Sequence, residues 1–169
     1  MSRNNNSDDV YIETDIESAI IQGDEERFSS LIDDADLQHR SDNGSTLLHK
    51  AAISGRPEIA SELIDRGIDL NAQDDGDGTA LHRALDCENY EVGRVLIESG
   101  TDLDIEDEYG NQPLWRAVFK ANYEMTKLLL ENGADPTHEN NVGKSPLSIA
   151  QDADAEKFIQ LLDPDSQSE

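Results

Sequence analysis

The chain has 169 residues, 36% of them apolar, and its 38 acidic and 13 basic side chains leave a net charge of −25 at pH 7. Such a field repels nucleic acid and anionic lipid surfaces, and no run approaches the roughly 18 apolar residues of a membrane span. The single cysteine, Cys87, leaves no internal disulfide and suits a reducing compartment.

Residues 1–10 are polar, rich in Asn and Asp, and predicted to be a disordered tail. They hold no apolar stretch of a secretory signal, so a cytoplasmic protein is expected. Ile12, Ile16, Ala19 and Ile20 then predict a helix, Gly23-Asp24 breaks it, and Phe28, Leu31 and Ile32 predict another. Glu13, Glu17, Glu25 and Glu26 give this first pair a polar outer face, as a terminal capping unit needs.

The clearest unit lies further on, from Asp107 to Thr137. Gly110-Asn111 reads as a tight turn, and Pro113 suits the first position of a helix. Leu114, Ala117 and Val118 share one face of that helix, which Asn122 is expected to end. Met125, Leu128 and Leu129 repeat the spacing in a second helix, closed by Gly133. Two short helices cannot bury both apolar faces alone. Their neighbours lie 33 residues away: Leu81, Ala84, Val92, Leu96 and Gly100, and before them Leu48, Ala51, Ile59, Leu63 and Gly67. A fourth copy follows at Pro146, Leu147, Ala150, Phe158, Leu161 and Leu162. A fixed period of this length means a solenoid.

Within that period Thr46-Leu47-Leu48-His49-Lys50-Ala51, Thr79-Ala80-Leu81-His82-Arg83-Ala84, Gln112-Pro113-Leu114-Trp115-Arg116-Ala117 and Ser145-Pro146-Leu147-Ser148-Ile149-Ala150 align, and Gly133-Ala134-Asp135 closes its unit. The pattern resembles the ankyrin repeat family. The resemblance implies an all-α solenoid of about five repeats, each a β-turn or hairpin followed by an antiparallel helix pair, with degenerate caps. The expected division is a single domain over 11–162, with repeats at about 11–40, 41–73, 74–106, 107–139 and 140–162, and a tail over 163–169. Thr46 and Thr79 are placed to cap their helices. Asp74-Asp75-Gly76-Asp77-Gly78 has glycines on either side of the usual turn position, which predicts a looser or differently shaped tip. Glu88 stands where Gly55 stood one repeat earlier.

Motifs of chemistry fail on spacing. Gly143-Lys144-Ser145 resembles the end of a phosphate loop, but His138 occupies the place of its first Gly. Taking Gly76 as the central Gly of a calcium loop puts His82 at the required Glu. His49 and His82 are equivalent, and the resemblance implies structural hydrogen bonds to the neighbouring turn rather than metal ligation. No catalytic, metal or cofactor residue is indicated.

Two features point outward. Lys50, Arg83 and Arg116 form a basic ladder near the concave side that the resemblance implies. Tyr109 on the third turn and Phe119 late on the next helix stand where such proteins contact ligands. Trp115 is expected to pack between repeats. Ile53 and Asp86 occupy the position of Phe119 in earlier repeats, and Asn111 adjoins the turn. The partner-binding set is therefore Tyr109, Phe119, Arg83, Arg116, Lys50, Ile53, Asp86 and Asn111. The expected function is non-enzymatic binding of another protein by a monomer, without nucleic acid or membrane. An inhibitor or immunity-type protein and a regulatory scaffold subunit remain as alternatives. The acidity reads either as solvation at high salt, as in halophilic organisms, or as a face for a basic partner.

Overall fold

A computed structural model describes residues 14–163. The expected tails, and Ile12 and Glu13 of the first helix, lie outside these residues. Five helix pairs follow one another: α1 (Asp15–Gln22) with α2 (Glu25–Leu31), α3 (Leu47–Ser54) with α4 (Pro57–Asp65), α5 (Ala80–Asp86) with α6 (Tyr90–Glu98), α7 (Pro113–Phe119) with α8 (Tyr123–Glu131), and α9 (Pro146–Asp152) with α10 (Glu156–Leu162). First helices pack on first helices from α1 to α9, and second helices pack on second helices from α4 to α10. No strand occurs among the described residues. The core is the layer between these rows. Leu48, Leu81 and Leu114 from the first row and Leu63, Leu96 and Leu129 from the second are all fully buried, at 0% exposure.

Local chemistry explains why such short helices form here. Most first helices start with a hydroxyl side chain paired to the residue three positions on: Thr14 with Glu17, Thr46 with His49, Thr79 with His82, and Ser145 with Ser148. Each box satisfies amide groups that the helix start leaves unpaired. Pro57, Pro113 and Pro146 open their helices where no N–H is needed. Gly67, Gly100 and Gly133 close second helices with φ of 82°, 83° and 95°.

Four expectations need correction. Asn122 does not end α7; Ala121, with φ of 52°, makes the reversal, and the Asn122 side chain caps α8 by accepting from the Met125 N–H. The second tip is not looser. Asp77, with φ of 55°, takes the left-handed position held elsewhere by Gly44, Gly110 and Gly143, and the turn keeps its closing bond from Asp74 N–H to the Gly78 carbonyl at 3.0 Å. Aspartate tolerates that conformation better than most residues, so the flanking glycines are not required for it. Glu17 does not share the polar outer face: it is wholly buried, and its carboxylate accepts from the Thr14 N–H and hydroxyl in the first capping box. The first repeat is also one residue short. Its breaker Gly23 lies 32 positions before Gly55, while the Asp36 and Asp69 turns lie 33 apart. The difference is absorbed where α2 tightens into a 3₁₀ turn at Ile32–Asp34.

Candidate functional site

The turn tips are built by one side chain each. Asp74 Oδ1 accepts from the Gly76 and Gly78 N–H groups, Asp107 Oδ1 from Tyr109 and Asn111, and Asn140 Oδ1 from Val142 and Lys144. Successive tips are then joined through the backbone: Asp75 N–H to the Asn43 carbonyl at 3.1 Å, Glu108 to Gly76 at 3.1 Å, and Asn141 to Tyr109 at 3.0 Å. The result is a rigid row of tips.

The histidines brace that row from beneath. His49 and His82 are wholly buried, and their Nε2 atoms lie 3.0 Å from the Gly78 and Asn111 carbonyls of the next tip. Their Nδ1 atoms face the N–H groups of Thr46 and Thr79. A carbonyl on one side and an N–H on the other require the neutral ring protonated on Nε2. Burial lowers both pKa values, that of His82 to about 4. These are structural groups, as the resemblance implied.

The basic ladder is paired within the chain. Arg83 donates from Nε and Nη2 to the two oxygens of Asp74, each at 2.6 Å, and lies 3.6 Å from Asp86. Arg116 donates to Asp86 and to Asp107. Lys50 Nζ is 3.7 Å from the buried Glu17. Burial alone would raise the Asp74 pKa, but the Arg83 hydrogen bonds and charge outweigh it and hold the carboxyl below its usual value. Asp107 is likewise held down against its burial by hydrogen bonds from Asn111, by the Arg116 charge and by the Tyr109 N–H. Asp74–Arg83–Asp86–Arg116–Asp107 is thus one alternating chain of charge across two repeats. Its cations serve the fold, and the expectation of a free cationic stripe gives way to that pairing. Asp86, half-buried, is a link in the same chain. Asn111 is buried, and its side chain bonds to Asp107 and accepts from Asn140, so it holds the turn from within.

The aromatic residues differ in kind. Tyr109 is 61% exposed and Phe119 64%. Trp115, expected between repeats, is half-buried and stacks on Phe119 with ring centroids 4.9 Å apart and planes 15° apart. On the other side it lines a cleft of about 380 Å³ with Tyr109, Arg116 and Val142. Val142 is 78% exposed and was not among the expected contacts. The signal was present, since Val142 stands one period after Tyr109. Ile53, at the Phe119 position of repeat one, is 43% exposed but is two repeats away from this patch.

The helix that carries the patch departs from α3 and α5. Gln112, which precedes α7 at the capping position, makes no side-chain cap, and Trp115 replaces the histidine of α3 and α5. The Trp115 Nε1 is buried without a hydrogen-bond partner among the described residues. Repeat three therefore lacks both the capping box and the imidazole brace.

Among the described residues no group of three or more His, Cys, Asp or Glu is arranged to hold a metal, and no helix is long and apolar enough to cross a membrane. Comparison with protein families matches ankyrin repeats, in three copies, at residues 16–107, 73–140 and 96–167. The chain belongs to the ankyrin repeat family. Ankyrin repeats are generally protein–protein interaction modules. No curated protein matches the chain.

Proposed function

We propose that this chain is a non-enzymatic binding module that holds another protein against Tyr109, Trp115, Phe119 and Val142. One observation carries the reading. At α7 the fold gives up a helix cap and a buried hydrogen-bonding histidine, and the side chains there form an exposed aromatic surface. A stack under selection for stability alone has no use for that exchange, since a cap is worth about 0.5–2 kcal/mol. Large aromatic side chains dominate interface energetics. The tip row and the stacked ring hold them in place before a partner arrives, so little entropy is lost on docking. The setting we assign is the cytoplasm, where the exposed thiol of Cys87 stays reduced.

The test uses tagged protein in extract of the native host at native salt. A client held by the wild type should be lost from the Tyr109→Ala, Phe119→Ala variant, mainly through faster dissociation, with each truncation costing about 1–2 kcal/mol or more. Both side chains are exposed, so the unfolding midpoint should hold. A folded variant that binds the client with unchanged affinity puts the site elsewhere on the stack.

A further inference from the structure

The chemistry of the partner follows from what surrounds the patch, and this inference rests on the patch being the contact surface. We propose that the occupant is a basic segment of another protein, anchored by one large apolar side chain in the cleft between Tyr109, Trp115 and Val142.

Two columns of side chains run along the row of tips at the 33-residue period. One is Asp42, Asp75, Glu108 and Asn141; the other is Asn43, Gly76, Tyr109 and Val142. The backbone bonds between tips keep both columns in register. Asp42, Asp75 and Glu108 are exposed, and none of them forms an ion pair among the described residues. The contrast with the ladder beneath is sharp. There every carboxylate of the Asp74–Arg83–Asp86–Arg116–Asp107 chain meets an arginine. Asp77 adds another exposed carboxylate at the second tip, again with no ion pair among the described residues. The row is therefore anionic over its first three tips and apolar over its last two.

A partner that laid neutral or acidic residues there would meet unscreened like charge or bring no compensation to it. Lysine or arginine side chains would neutralise carboxylates that form no ion pair among the described residues, and would be drawn in by the field of the whole protein. The cleft of about 380 Å³ accepts one aromatic or long aliphatic side chain beside Trp115. Attraction along the tips sets the encounter rate, and the anchor sets the lifetime.

The experiment is a selection of displayed random peptides on the immobilised full chain at about 0.1 M salt, where charges within ~10 Å still interact. Enriched peptides should carry Lys or Arg on one side of a single large apolar residue. Neutral or acidic peptides, or no enrichment, overturn the proposal. Scrambled peptides of the same composition that bind equally well also overturn it, since they would reveal mere counter-ion attraction. The selected peptide is then titrated against two folded variants. Asp42→Asn, Asp75→Asn, Glu108→Gln should weaken it about tenfold and flatten its salt dependence. Tyr109→Ala, Phe119→Ala should weaken it at every salt concentration. Unchanged affinity for the first variant overturns the basic-partner inference and leaves the aromatic surface standing. Unchanged affinity for the second overturns the aromatic surface itself.

Discussion

Gly55, Glu88, Ala121 and Asp154 stand one repeat apart and share the left-handed turn between paired helices, with φ of 64°, 60°, 52° and 50°. A side chain there costs about 1–2 kcal/mol of backbone strain, partly offset by the entropy that glycine loses on folding. Ala121→Gly should therefore raise stability by about 1 kcal/mol, read as a higher urea midpoint at unchanged slope. Gly55→Ala should do the reverse, since its Cβ would sit 2.7 Å from Asn89 Oδ1 as well as in a strained conformation. The histidines set a pH dependence. The folded pKa of His82 lies below its ordinary 6.5, so the fold favours the neutral ring. Its contribution is complete above about pH 6.5 and is lost as the pH falls toward 4. The difference of these two values corresponds to about 3 kcal/mol from His82, with His49 adding in the same direction. Unfolding midpoints should drop over that window, and His82→Gln should flatten the slope while lowering stability at pH 7. A midpoint that stays level in the wild type contradicts the buried neutral tautomer.

At the scale of the element, the helix pairs were visible in the sequence because burial in a stack imposes a period. Leu81, Leu96, Leu114 and Leu129 were expected to be buried and are. Leu114→Ala or Leu129→Ala should cost about 2–5 kcal/mol by denaturant unfolding. The period could not assign Trp115 or the ladder, because position alone does not say what a side chain meets. Apolar residues at helical spacing read as core whether they face a neighbour or solvent. The pairing of Arg83 and Arg116 depends on carboxylates of the adjoining tip and of the preceding helix, contacts that only the folded stack brings together. Asp77 at the second tip was missed for a related reason: the expectation looked for glycine, while the required conformation was within reach of aspartate. The ladder carries its own prediction. Arg116→Met would leave the Asp107 side chain, 1% exposed, without its cation. It should destabilise the fold by roughly 3–5 kcal/mol, as breaking a buried pair does, before any effect on a partner is felt. If the unfolding midpoint does not move, the arginine is not structural and the free-stripe reading returns.

For the whole molecule, a charge of −25 on one stack opposes the compact state. Salt screens that repulsion over about a Debye length, so the melting temperature should rise from low to molar NaCl. A flat response would mean that internal pairing already neutralises the surface. The central claim is that repeat three exchanges stability for a binding surface, and one double variant tests both halves together. Gln112→Thr, Trp115→His rebuilds the capping box and the brace that α3 and α5 carry. Measured by urea unfolding and by affinity for the client of the wild type, it should gain about 1–2 kcal/mol of stability and lose about tenfold or more in binding. A variant that is less stable and binds as before would contradict the account.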